Sequence, residues 1–335
     1  MTKSVPFSLL ELASVREGDT VGETLANSVA YARHAESLGF QRFWLAEHHN
    51  MQGISSAATS VLIGHIAGAT ESIRVGSGGV MLPNHPPLVI AEQFGTLESL
   101  YPDRIDLGLG RAPGSDQRVA AALRRNLDSN PDAFPRDVVE LQSYFADDGR
   151  TGIRATPGAG ADVQLYILGS SLFGAQVAAM LGLPYAFASH FAPQALDDAL
   201  KIYRDRFEPS AVLSEPYAIC GYNVFAADTE EEAQLLASSM QQSFVRLRTG
   251  QPGKLPPPVE GYRENLPPQL SGMLDGVLSA TAIGTRDQVR EQMNAFVERT
   301  QADELIIAGS IYDHEARKRS LALAAEAFAG EPAAA

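Results

Sequence analysis

Two hydrophobic rhythms alternate along this chain. Short runs rich in β-branched and aromatic residues are separated by longer stretches whose apolar positions recur every three or four residues. The short runs predict strands at Val5–Leu10, Arg42–Leu45, Arg74–Val80, Ile105–Leu109, Gln164–Leu168, Tyr185–Ala188, Tyr217–Phe225 and Leu305–Ala308. Several are continuous apolar segments, the pattern of parallel strands buried on both faces. Between them, Leu25, Val29, Ala32 and Leu38 fall on one face of a helix that Gly39 ends. Ala91, Phe94, Leu97 and Leu100 repeat that spacing before Tyr101-Pro102 stops it. Thr229-Glu-Glu-Glu232 and Thr285-Arg-Asp-Gln288 carry the capping-box pattern and open later helices. A last helix runs from about Glu315 to Ala329, and residues 331–335 read as a disordered tail.

Eight strand–helix units in 335 residues predict an α/β fold, a single (β/α)8 barrel over residues 1–330. A doubly wound sheet is the rival architecture. It would usually place a Gly-rich dinucleotide turn after the first strand, and no such turn follows Leu10. Two segments break the rhythm as insertions: Ala112 to Pro135 after the fourth strand, and Thr249 to Ala280 after the seventh. The second holds six prolines and several glycines. A patternless stretch of that length is commonly a lid or a binding loop, so it is expected to be mobile and to close over a ligand.

Composition narrows the partners. A formal charge of −14 leaves no basic face for nucleic acid or an anionic membrane. The single cysteine, Cys220, rules out an internal disulfide and a Cys-based zinc site, and its apolar surroundings read as core. Neither a signal peptide nor an apolar run of the ~18 residues needed to cross a membrane is evident, so a cytoplasmic location is expected.

In a barrel the chemistry gathers at the carboxyl ends of the strands. Those ends supply Glu47-His48-His49-Asn50, Gly78-Gly79, Arg111, Gly169-Ser170-Ser171 and Ser189-His190-Phe191. Arg111 is the most informative. An arginine closing a buried strand is costly unless it meets an anion, either a neighbouring acid or a ligand. Gly169-Ser-Ser-Leu-Phe-Gly174 opens the next helix, and small residues at a helix start offer free N–H groups and a positive dipole end; an ordinary serine cap is the plainer reading. Gly78-Gly79 inside a β-branched strand marks a bulge or a close approach. His48 and His49 are adjacent on extended chain and point to opposite sides, which argues against a metal pair, and no metal is expected. His190 reads equally as a pocket contact or a core histidine. His85, before Pro86-Pro87, reads as a loop residue that helps to start a helix.

Several motifs stand together: Glu47-His48-His49, Arg74-Val-Gly-Ser-Gly-Gly-Val-Met-Leu-Pro83, His85-Pro-Pro-Leu88, Ala91-Glu-Gln-Phe-Gly-Thr-Leu97, Tyr101-Pro-Asp-Arg-Ile105 and Leu107-Gly-Leu-Gly-Arg-Ala-Pro-Gly-Ser-Asp116. The series closely resembles the bacterial luciferase-like family of flavin-dependent monooxygenases. That resemblance implies FMN as cofactor, with Arg111 at its phosphate and Gly78-Gly79, joined by a non-prolyl cis peptide, against the flavin ring. It further implies cofactor contacts from Leu109, from Gly169, Ser170, Ser171, Phe173 and Gly174, and from His190. His48 matches the family's active-site histidine, a general base suited to the role by a pKa near working pH.

The implied activity is that of a two-component monooxygenase. FMNH2 arrives from a separate reductase, dioxygen adds at flavin C4a, and the hydroperoxide oxidises a small organic substrate such as an aldehyde. Homodimers are usual for the family. Gly110 stands where luciferase α subunits carry a reactive cysteine, and no acid lies near Gly169, which argues against efficient light emission. A non-catalytic flavin-binding protein and a deazaflavin-dependent oxidoreductase of the same superfamily are the alternatives.

Overall fold

The computed structural model describes residues 5–111, 117–123 and 133–328. The strands are β1 (Phe7–Glu11), β2 (Arg42–Leu45), β3 (Arg74–Met81), β4 (Ile105–Gly110), β5 (Gln164–Gly169), β6 (Tyr185–Phe187), β7 (Ala218–Ala227), β8 (Thr281–Thr285) and β9 (Glu304–Ala308). The first helices are α1 (Val21–Ser37), α2 (Thr59–Ala67), α3 (Pro87–Leu100), α4 (Gln117–Leu123), α5 (Phe134–Ala146) and α6 (Leu172–Leu181). They are followed by α7 (Leu196–Asp205), α8 (Glu230–Arg248), α9 (Pro268–Val277), α10 (Arg286–Thr300) and α11 (His314–Phe328).

Eight parallel strands close on themselves. Pairing runs from β1 through β7 in sequence, then from β7 to β9, and β9 returns to β1. All eight predicted strands are members of this (β/α)8 barrel. The ninth, β8, begins directly after the expected insertion, at Thr281; it pairs with the carboxyl half of β7, Asn223 to Ala227, and so extends the rim beyond the barrel wall. Its short alternating sequence, Thr-Ala-Ile-Gly-Thr, is too brief to stand out beside the helix cap that follows. That cap is present: Thr285 and Gln288 bond reciprocally at the start of α10, and Thr229 accepts from the Glu232 amide at the start of α8.

The expectation of a patternless lid over residues 249–280 is corrected. The segment contains α9, and its first part is tied to the barrel top. Leu255 exchanges backbone hydrogen bonds with Val15 and Glu17, both 2.9 Å. Gln242 Nε2 donates to the Pro257 carbonyl at 2.8 Å, and the Val259 amide donates to Ser238 Oγ at 2.8 Å. Proline-rich sequence carries little periodicity, so nothing in the pattern announces these anchors. Of the other insertion, α4 is described, while residues 112–116 and 124–132 lie outside the described residues, as does the expected tail at 331–335.

Helix faces are also rotated from expectation. In α1 the buried positions are Thr24, Ser28, Tyr31, Ala32 and Ala35, with Leu25, Val29 and Leu38 at the edge of the core. Leu100 ends α3 largely exposed.

Side chains alternate along each strand between the helix-facing layer and the barrel interior. The interior is graded. Its amino end is charged and tightly bonded. Arg42 bonds Glu304 and Asp106 at 2.8 and 2.9 Å and Tyr166 at 2.6 Å; Trp44 and Arg74 also donate to Asp106, and Tyr217 and Ser8 to Glu304. Above it, Leu10, Trp44, Tyr166, Ile219 and Ile306 form an apolar plug. At the carboxyl end the inward residues shrink to Ala46, Ala308 and Gly221. A filled floor under a rim of small side chains places the site at the carboxyl mouth.

Candidate active site

The chain after β2 separates its two histidines as extended geometry requires. His49 Nε2 donates to Glu47 Oε1 at 2.8 Å, and Glu47 is 2% exposed. His48, on the opposite side, lies close enough to His190 to act on it electrostatically. The Glu47 carboxylate also accepts from His85 Nε2 at 2.9 Å and from the Met81 amide at 3.3 Å. Burial alone would raise the Glu47 carboxyl. Hydrogen bonds and charge from His85 and then His49 outweigh it and hold the group below its ordinary value.

His85 is therefore more than a loop residue, and this correction has a simple cause. Parallel neighbours β2 and β3 bring Glu47 and His85 together, 38 positions apart in sequence. Donor atoms of Glu47, His49 and His85 lie within 4.8 Å of one another, and in the structure the imidazole N–H groups satisfy the carboxylate.

The Gly78–Gly79 bond is cis, and the β3–β4 register shifts between Ser77 and Val80. A Cβ on Gly78 would lie 2.7 Å from Leu10 Cδ1, and one on Gly79 2.6 Å from the Gly108 carbonyl oxygen. Glycine is thus required at Gly79 by the backbone of the neighbouring strand, while a side chain at Gly78 would first have to displace the Leu10 side chain.

Arg111 leaves β4 and stacks its guanidinium over the Phe173 ring, 4.2 Å from the centroid. Among the described residues no carboxylate lies within ion-pair distance of it. Phe173 belongs to the first turn of α6, whose N-cap, Ser171, makes no side-chain cap bond. The first amides of a helix have no intrahelical acceptor, so a cation and a set of free donors stand side by side. Gly169 and Gly174 let strand end and helix start approach closely: a Cβ on Gly174 would sit 3.5 Å from Gly169 Cα and 3.3 Å from the Tyr185 ring. Ser170 and Ser171 are exposed at this edge. Leu109 is placed differently. Its side chain is 0% exposed within the layer between barrel and helices, so only its main chain faces the mouth.

His190 is held against β7. Ser189 Oγ donates to the Gly221 carbonyl at 2.6 Å, and Asn223 Nδ2 donates to the His190 carbonyl at 2.8 Å. The ring lies on Gly221, where a Cβ would come 2.2 Å from Nδ1. That Nδ1 is buried and has no hydrogen-bond partner among the described residues. Burial, and then the charge of His48, push the His190 pKa down to about 4. A buried unpartnered lone pair costs less than a buried unpartnered N–H, so the neutral ring carries its proton on Nε2.

The mouth therefore combines a helix start without a side-chain cap beside a cation, a backbone platform from β3, and two histidines with different environments. These parts suit a cofactor with a phosphate tail and a flat ring. Among the described residues, no helix is long and apolar enough to cross a membrane.

Comparison with known proteins agrees with the barrel fold. A family-level sequence model described as luciferase-like monooxygenase matches residues 5–304. A luciferase-like monooxygenase of Escherichia coli is 52% identical over 323 residues, covering 96% of each chain. The N-acetyl-S-alkylcysteine monooxygenase of Bacillus subtilis is 31% identical, covering 96% of this chain and 98% of its own. The crystal structure of apo-MsnO8 superposes with a TM-score of 0.88 at 36% identity, covering 98% of this chain and 99% of that one. With the barrel, the cis glycine pair and a match along nearly its whole length, the chain belongs to the luciferase-like monooxygenase family.

Proposed function

We propose that the protein is an FMN-dependent monooxygenase that takes FMNH2 from a separate reductase and uses dioxygen to oxidise a small organic substrate such as an aldehyde. The observation that carries this reading is the pairing of Arg111, stacked on Phe173, with the open start of α6. Two kinds of donor at one edge fit a dianionic phosphate. Reduced flavin, when bound, supplies the electrons that activate dioxygen for insertion of one oxygen atom.

The remaining roles fall to side chains. Arg111 and the first amides of α6 bind the phosphate. Glu47, bonded to His49 and His85, fixes the turn after β2 so that His48 keeps its side of the chain. His48 removes a proton from the substrate as general base. His190, neutral and fixed on Gly221, presents Nε2–H beside it. The name of the Bacillus subtilis relative supports adding thioethers to the substrates tested. The proposed assembly is a homodimer.

The test has a binding arm and a reaction arm. Arg111→Ala is expected to weaken FMN by roughly 1.5–3 kcal/mol, the range for a hydrogen bond to a charged group, and to leave riboflavin unaffected. Equal losses would show that Arg111 serves the structure alone. In the second arm, FMN, a flavin reductase and isotopically labelled dioxygen are supplied with aldehydes and thioethers. Product carrying one labelled oxygen supports the proposal. Hydrogen peroxide as the sole product across the panel, or oxygen-independent turnover with a reduced deazaflavin, overturns it.

A further inference from the structure

A second group of residues gathers around Phe191, the neighbour of His190 in the chain. Phe191 follows His190 in the chain, and its ring stands 6.0 Å from that of Phe244 on α8. The Arg248 guanidinium, one turn further along α8, sits 5.6 Å from the Phe191 ring centroid. Gln241 precedes Phe244 by three positions and Arg248 by seven, so helical spacing puts all three on one stripe. Gln241 is 1% exposed, yet its Nε2 has no hydrogen-bond partner among the described residues. An unpaired buried amide is a cost to the folded state that a ligand oxygen would recover.

Arg246 and Arg248 both lie in the last turn of α8, where a cation offsets the negative end of the helix dipole. Arg246 also pairs with Glu17 at 2.8 Å. Arg248 has no carboxylate within ion-pair distance among the described residues and lies over an aromatic ring instead. In a chain of net charge −14, a cation without an acid among the described residues, on one helix stripe with a buried free amide two turns away, is a selective position.

We propose that this shelf is the substrate side of the site and that it selects an organic anion. The apolar body lies between Phe191 and Phe244, and a carboxylate or sulfonate accepts from Gln241 Nε2 and Arg248. The opposite end of the molecule then reaches toward His190 and His48. The assignment rests on the monooxygenase reading for what happens at that end, and on the shelf's own residues for the choice of anion.

The probes are octanoate and octanesulfonate, with octanamide as a neutral comparison, titrated calorimetrically into the FMN-loaded protein and into the protein without FMN. Both anions are expected to bind about tenfold more tightly than octanamide, the lower end for a hydrogen bond to a charged group. Arg248→Gln should bring the ratio close to one without changing octanamide affinity. Gln241→Leu, close in volume and apolar, should weaken all three probes. Circular dichroism confirms that each variant is folded. Equal binding of octanoate and octanamide by the unaltered protein, or an anion preference that survives Arg248→Gln, overturns the proposal. FMN affinity is read in its own titration, so its loss would count against the flavin reading and not against the shelf.

Discussion

The two histidines after β2 differ in what surrounds them, and the difference is measurable. His49 donates to a buried carboxylate, whereas His48 lies close enough to His190 to act on it electrostatically. His48→Ala is expected to lower product formation by ~10²–10⁴-fold, the usual contribution of a general base, with FMN affinity and fold retained. His49→Ala should act through stability, because it removes one of the two imidazoles on Glu47. Coupled turnover in His48→Ala, or the chemical defect appearing in His49→Ala, would reverse the assignment. His190 makes a separate prediction in pH. Its folded pKa lies near 4 against an ordinary value of 6.5. Between those values the unfolded chain binds more protons than the native one, so native stability falls as pH drops through that interval and is indifferent to His190 above it. The loss approaches roughly 3 kcal/mol at the acid end. Urea unfolding above and below the interval should show a larger decline for the unaltered protein than for His190→Gln. Parallel declines would mean that His190 is not a buried neutral base.

Among the elements, α8 carries more than its packing role. One stripe of it meets Phe191 at the mouth, and another fastens the segment that follows. Ser238→Ala would remove the acceptor of the Val259 amide. The expected result is faster hydrogen exchange around residues 255–259 with the barrel strands unchanged, and a stability loss of about 0.5–1.5 kcal/mol, the net worth of an ordinary hydrogen bond. Exchange that is already fast there in the unaltered protein would restore the reading of this segment as a free lid. The rim strand β8 belongs to the same story. It prolongs β7 beyond the barrel and gives α8 a surface to pack on, which sets the height of the wall beside His190.

At the scale of the molecule, a charged floor closes the amino end of the barrel and an open rim faces the other way. Arg42 is the hub of that floor, and its carboxylate partners Asp106 and Glu304 are fully buried. Glu304 together with Asp106 holds the Arg42 guanidinium in its charged form against the cost of burial. Arg42→Met would leave Glu304 without its cation, while Asp106 keeps Arg74, and breaking a buried pair in this way costs ~3–5 kcal/mol. Urea unfolding at neutral pH measures it. A loss below about 1 kcal/mol, the range of an exposed pair, would show that Arg42 does not hold the floor together.

The chain's own pattern determined the eight barrel strands, their parallel order and the strand ends that carry Glu47, His48, Gly78, Gly79, Arg111 and His190. Those features are local: continuous apolar runs, helix caps and glycine signals act over a few residues, and parallel connections leave little choice of topology. Only the tertiary structure decided which of these residues meet. Barrel closure set His85 on Glu47 and His190 on Gly221, and turned the Leu109 side chain away from the mouth. It also paired β8 with β7 and fastened the proline-rich segment to Val15, Glu17, Ser238 and Gln242. Each of these contacts joins positions far apart in sequence, and none has a periodic signature. They exist because strands packed side by side leave a single place for each side chain, a constraint that the amino-acid pattern along one segment does not contain.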